Sequence, residues 1–347
     1  MKRGRGTAIA FHSTIFIFKP AKCATLVIER GVVREIPVKL KGRPINSLNK
    51  ESTYKYLGIQ TGAGAKVSTM GLLEKVTREL DCIVRSDLIP PQKLDCVKTF
   101  ALSKLTYMNS NSMPPITEMR KFANIVMRAV KVIHSIPIRG SPLEYVQLPI
   151  KDGGLGVPCP RVTNMVTFVV STMKKLWSPD NYIRNLYMSF AEEVVKMETG
   201  KKEVNLEDIA QYLNVEQRTV RSNFGYNCFS RLKDALRNLA SGGDSPLFKI
   251  KIVVKNKKLA VLVQATEDSN EKLFTEDGVK KMQRAMNEQV SRALKHRFHT
   301  TKLVKSEISR VVQMHPASNK FVARGGNLSL ACHRFVHKAR LNLLACN

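Results

Sequence analysis

The sequence predicts an α+β fold that is predominantly α-helical, and three observations predict it. Short runs rich in Ile, Val, Phe and Thr fill the region up to residue 62. From residue 67 onward, apolar residues recur three and four apart, the spacing of a buried helix face. Late in the chain, two β-branched runs flank Asn256, Lys257 and Lys258 and read as a small hairpin.

Residues 13–18, 24–29 and 32–38 read as short strands. Tyr54, Tyr56 and Ile59 alternate in a further one, ended by Gly62 and Gly64. A small sheet over residues 1–62 follows, with its pairing order open. Val67, Met70, Leu73, Val76, Leu80 and Val84 then line one face of a helix, which Pro90 and Pro91 break. Leu94, Val97, Phe100, Ala101 and Leu105 define the next helix, and Phe122, Ile125, Val126, Ala129, Val130 and Ile133 another over 116–133. The stretch 136–160 is rich in Pro and Gly and reads as irregular. Helices are predicted over 161–176 and 181–197, and one more starts at Leu206 with Asn205 as cap and Asp208 at its third position. A longer candidate covers 216–240, and SGGDSP at 241–246 marks a boundary. Runs 248–254 and 259–263 form the hairpin; 273–298 and 301–313 read as helical, and an amphipathic segment starts at Leu328 after the Gly325–Gly326 turn.

At 347 residues and 39.0 kDa, the chain can bury a substantial core, and its 43% hydrophobic content argues against general disorder. Lys and Arg total 57 against 28 Asp and Glu, a formal net charge of +29. That charge is spread through the chain, as expected of a body that binds nucleic acid, and its pull on polyanions should weaken with salt. Seven cysteines are too few for a disulfide scaffold and suit a reducing, intracellular setting. The apolar run after MKRGRG contains His12 and Ser13 and meets Lys19 and Pro20 without a convincing signal cleavage site, and no run is long enough to span a membrane.

Phosphoryl transfer by a polymerase needs paired carboxylates to hold metal ions. No Asp-Asp pair or acidic turn occurs in residues 1–60, and Asp81, Asp87 and Asp152 read as caps, ion pairs or surface groups. GGLG at 153–156 lacks the Gly-Lys-Ser/Thr of a P-loop and reads as a tight turn. His333 and His337 lie one helical turn apart beside Cys332, but no fourth ligand is evident, so no metal or other cofactor is expected. No nucleophilic triad shows in the spacing, and no catalytic residue is assigned. The coherent signal is basic: Lys93, Lys98 and Lys104 on one helix; Arg120, Lys121, Arg128 and Lys131 on another; Lys295 and Arg297, then Arg334, Lys338 and Arg340, near the end. These can bind phosphates without reading bases. Tyr54 and Tyr56 could be buried aromatics or nucleic-acid contacts.

Four stretches, in order, resemble the reverse transcriptase polyprotein of non-LTR retrotransposons, in particular the site-specific class with a restriction-like endonuclease, and a further one fits between them. KPAKCATLVI at 19–28 resembles the segment after the catalytic palm hairpin, and YKYLGIQTG at 54–62 the primer grip. LIPPQKLDCVKTFALSKLTY at 88–107 resembles the start of the thumb. DGGLGVP at 152–158 fits the connecting region, and GGNLSLACHRFVHKARLNLLA at 325–345 the basic element before a zinc knuckle and nuclease. The resemblance implies a residual palm edge over 1–62, a helical thumb over 63–140, a helical connecting region over 141–245, and a hairpin with a basic helical linker over 246–347. It implies that Tyr56, Leu57 and Gly58 lie near a primer terminus, with RNA, DNA or RNA–DNA hybrid as partner, no membrane association, and a possible nuclear location. The family's metal-binding aspartates precede the KCATL-like stretch, and its knuckle and nuclease follow the last one. The expectation is therefore a truncated reverse transcriptase that retains nucleic-acid-binding parts and has no polymerase activity alone. Magnesium would be needed only by a complete enzyme, and palm and endonuclease portions could be further parts of a polyprotein. A standalone binding protein derived from a retroelement, or an inert decayed fragment, are the alternatives.

Overall fold

The structure is a computed structural model that describes residues 23–30, 32–40, 42–56, 59–63, 70–111, 114–214, 227–241, 247–264, 271–300, 314–324, 328–341 and 343. The strand expected over 13–18, the helix expected over 301–313, and Leu57 and Gly58 lie outside these residues. Backbone contacts divide the chain into two compact units, Met1–Ser68 and Thr69–Asn347.

The first unit is built of short strands. β1 (Ala24–Thr25) pairs in parallel with β5 (Arg43–Ser47), which pairs antiparallel with β4 (Val38–Leu40). β2 (Val27–Glu29) and β3 (Val32–Arg34) form one hairpin, and β6 (Tyr54–Tyr56) pairs with β7 (Ile59–Thr61) in another. Leu48 is buried and its N–H donates to the Thr25 carbonyl, whereas Ile28 and Val32 stay exposed.

The second unit is helical, as its periodicity predicts. α1 (Met70–Arg85) turns its Leu73, Val76 and Leu80 inward. Pro90 and Pro91 do more than end the preceding helix: they open α2 (Pro90–Cys96), where a first-turn proline has no hydrogen bond to lose. A π-helical turn at Val97–Leu102 leads on to α3 (Leu105–Asn111). α4 (Ile116–Ile133) and the short α5 (Leu143–Gln147) follow. α6 (Pro160–Leu176) packs against α3, α4, α7 (Asn181–Thr199) and α9 (Cys228–Ser241). α8 (Leu206–Asn214) has the predicted cap: the Asn205 side chain accepts from the Asp208 N–H at 2.8 Å, and the Asp208 carboxylate accepts from the Asn205 N–H at 3.0 Å.

β8 (Lys249–Lys255) and β9 (Lys258–Gln264) form the predicted hairpin, turned by Asn256 and Lys257, both at positive φ. The start of the next helix is corrected by the structure. Residues 271–274, whose C-terminal part the periodicity assigns to a helix, form a third strand, β10 (Glu271–Phe274), in the order β10-β9-β8. Pairing Phe274 with Val261 buries that ring, and this tertiary gain overrides local periodicity. α10 (Val279–Thr300) starts only after Gly278. α11 (Lys320–Arg324) and α12 (Leu330–Arg340) complete the described elements.

Two hydrophobic cores stabilise this unit. One gathers α6 to α9 and the sheet, around Val169, Met173, Phe229 and Phe248. The other gathers α1 to α5 with α11 and Leu341, the residue that ends α12, around Val76, Val97, Phe122 and Tyr145. α10 joins them: Met282, Ala285 and Met286 enter the first core, and Leu294 and Phe298 the second.

Candidate nucleic-acid interface

α10 buries one stripe in both cores, so its opposite residues must form a surface. Lys280, Arg284, Ser291 and Lys295 recur at helical spacing and line one side of an open cleft of about 720 Å³. Pro149, Lys151 and Asp152 form the facing wall. A neighbouring cleft of about 570 Å³ shares Pro149, Lys151, Asn287 and Ser291 and extends the groove to Lys98 and Gly156.

The facing wall is rigid for local reasons. After α5 the chain doubles back, and the N–H groups of Leu155, Gly156 and Val157 donate to the carbonyls of Tyr145, Leu148 and Val146 at 2.9, 2.8 and 3.0 Å. Gly153 and Gly156 take φ of 92° and 67°, which glycine adopts without strain. Gly154 lies so close to Leu148 that a Cβ would strike its carbonyl. GGLG is thus a tight turn. It also receives two predicted basic residues from distant elements: Lys98 donates to the Leu155 carbonyl at 3.0 Å, and Lys295 pairs with Asp152 at 3.2 Å. Burial lowers the Lys98 pKa, with Asp95 opposing that shift.

The other predicted positions are distributed over the unit. On α4, Arg120, Lys121 and Arg128 are exposed on the outer face. Lys131 is buried, and its amine donates to the carbonyls of Ile138 and Ser141 at 3.1 and 2.9 Å, so this cation is consumed in closing a loop. Lys93 is half-buried and ties α2 to the Val84 carbonyl at 2.7 Å. Lys104 is exposed and pairs with Glu79. Arg297 is half-buried, while Arg334 and Lys338 are exposed on α12. Arg340 donates to Ser318 and lies over the Phe321 ring. Tyr56 lies in β6, opposite Ile59.

Sequence reasoning missed the partner of His333 and His337. Among the described residues, the grouping of metal-capable side chains is His134, His333 and His337, all buried, with one nitrogen of each within 4.8 Å of the others. His134 caps the end of α4 and lies 203 positions before His337, a separation that no local motif spans. Cys332, adjacent in sequence, is exposed.

Comparison with known proteins gives this arrangement relatives. The family model of the T26G10.4 domain matches residues 166–343, just over half of the chain. The chain belongs to the T26G10.4 domain family. The matched span holds α10 and α12 but begins after Lys98, His134 and Asp152, so the groove joins matched and unmatched segments. The chain is also 25% identical, over 150 residues, to the Retrovirus-related Pol polyprotein from type-1 retrotransposable element R2 of Nasonia vitripennis. That stretch is 40% of this chain and 14% of the relative. It is 28% identical, over 114 residues, to the Retrovirus-related Pol polyprotein from type-2 retrotransposable element R2DM of Drosophila melanogaster, covering 33% of this chain and 11% of the relative. The chain thus matches only a small part of each curated relative, and the likeness marks a retroelement relationship.

Proposed function

We propose that this chain is the thumb-and-linker part of a retroelement reverse transcriptase of the restriction-like-endonuclease class, and that it binds nucleic acid along the α10 groove. The similarity to two R2 Pol polyproteins carries this reading. The net charge of +29 supports it, because a body this basic concentrates polyanions at its surface. So does the groove. From Lys280 to Lys295, α10 runs about 22 Å at ~1.5 Å per residue. That matches the axial length of roughly six or seven nucleotides at ~3.4 Å each. Lys280 and Arg284 lie at one end and Lys151 on the facing wall, while Lys98 and Lys295, whose amines are engaged by the Leu155 carbonyl and Asp152, line the other end. Such contacts hold a backbone in place and leave sequence unread. The exposed basic residues of α4 and α12 extend phosphate binding beyond the groove. In this reading, Tyr56, Leu57 and Gly58 act at the primer terminus, and the partner is structured RNA or an RNA–DNA hybrid, met in the nucleus.

The test is binding of the purified, folded chain to matched single-stranded RNA, structured RNA, duplex DNA and RNA–DNA hybrid across a salt series. We expect hybrid or structured RNA to bind most tightly and affinity to fall steeply as salt rises. A folded, monodisperse protein that binds none of these at low salt defeats the proposal.

A further inference from the structure

We propose that His134, His333 and His337 bind a zinc ion that clamps the C-terminal helix α12 to the end of α4. The proposal rests on geometry and on the needs of the three rings, independently of the nucleic-acid reading. His333 and His337 lie one turn apart on the inner face of α12, whose outer face carries Arg334 and Lys338. His134 Nδ1 lies 3.2 Å from His337 Nε2. In a tetrahedral zinc site with Zn–N bonds of ~2.0–2.1 Å, ligand nitrogens stand about 3.4 Å apart. That pair is therefore already at the edge length of the coordination polyhedron. The third nitrogen is within 4.8 Å of the others, so binding would draw the His333 ring in by about 1.4 Å to reach the ~3.4 Å edge.

Without an ion the cluster is poorly satisfied. One hydrogen bond can link His134 and His337, which leaves His134 Nε2 and both nitrogens of His333 buried with no hydrogen-bond partner among the described residues. Around them stand Phe321 and Tyr145, with Phe298 behind Tyr145. Three neutral imidazoles with lone pairs in a shielded pocket are what a divalent cation of intermediate softness selects. Burial holds all three neutral, pushing His134 down to about 3 and His337 down to about 2, and lowering His333 as well. The outer shell is also provided. The Tyr145 hydroxyl lies 2.8 Å from His337 Nδ1, so with Nε2 on the metal that N–H donates to the phenol oxygen and fixes the ring. The Arg340 guanidinium lies near enough to the same phenol to act on it electrostatically. Zinc fits best among imidazole-binding ions because it imposes no geometry of its own and accepts a fourth ligand from water or an anion.

The test uses the full chain, purified without a polyhistidine tag. Elemental analysis should find about one zinc per chain, as for a single structural site. Cobalt added to chelator-stripped protein should give the intense visible bands of a tetrahedral site. His134→Gln and His333→Asn should each abolish retained zinc, while Cys332→Ala keeps it. Chelator should lower the melting temperature of the wild type and leave the two histidine variants unmoved. A folded wild-type protein that retains no zinc and gives no tetrahedral cobalt spectrum overturns the proposal and makes the cluster simple ring packing. Zinc retained unchanged in both folded histidine variants overturns it equally, by placing the ion elsewhere. If a variant does not fold, the wild-type cobalt titration decides alone.

Discussion

Gly154 sits where a methyl group would meet the Leu148 carbonyl and Cβ. Backbone cannot yield as a flexible side-chain tip can, so Gly154→Ala should destabilise the chain by about 2–3 kcal/mol. Urea unfolding followed by Trp177 fluorescence measures this, since Trp177 is the single tryptophan and is buried against the sheet with its indole N–H on the Leu259 carbonyl. His299 poses a different residue-scale question. Both of its ring nitrogens are buried without hydrogen-bond partners among the described residues, and burial, then Lys295 and His296, lower its pKa, with Asp152 opposing. Its unfolded pKa is about 6.5. Below that pH the unfolded chain binds a proton that the folded chain resists, so this residue makes stability fall as pH drops. His299→Gln should flatten the loss of stability between pH 6.5 and 5, read from urea midpoints at each pH. An unchanged slope would show that this imidazole titrates alike in both states.

Elements depend on their ends and edges. Asn205 and Asp208 satisfy each other's N–H groups at the start of α8, and Lys201 pairs with Asp208. Asn205→Ala should cost about 1 kcal/mol, the usual loss for an N-cap, with the denaturation midpoint as readout. At the other end of α8, Asn214 reaches the edge strand β8. Its side chain accepts from the Ile252 N–H at 2.8 Å and donates to the Ile252 carbonyl at 2.6 Å. An edge strand offers unpaired backbone groups to any passing strand. Asn214→Ala should therefore both destabilise the chain, by about 1–3 kcal/mol for the stranded polar groups, and raise its tendency to aggregate. Light scattering at matched fractions of folded protein separates the two effects. α10 serves two purposes at once: its inner residues bridge both cores, and its outer residues line the groove.

For the whole molecule, charge and topology act together. A net charge of +29 leaves Lys and Arg on many surfaces, but the fold concentrates a usable row along one groove. Lys280→Glu with Arg284→Glu should weaken binding to nucleic acid across sequences and reduce the salt slope by about 2. Both side chains are exposed, and Arg284 pairs only weakly with Glu288 at 3.3 Å, so stability should change little. Circular dichroism and the salt series together check this. Unchanged affinity and slope in a folded double variant would remove the groove from the binding surface.

The sequence by itself determined the helical class, the cap of α8, the β8–β9 hairpin and the excess of positive charge. Each is local or additive: a period of three to four residues, an Asn three positions before an Asp, a two-residue turn, a sum over side chains. Tertiary structure alone decided which charges remain available. Lys131 belongs to the same basic run as Arg120, Lys121 and Arg128, yet the 136–141 loop folds over it and takes its amine. It also decided that residues 271–274 pair as a strand, because β9 supplies an edge that no local signal records. The histidine cluster shows the limit most clearly. His333 and His337 are legible as one helical face, but His134 reaches them only because the fold brings the end of α4 against the buried face of α12. Sequence carries what neighbours along the chain impose, whereas contacts across 203 positions exist only once burial has brought distant faces together.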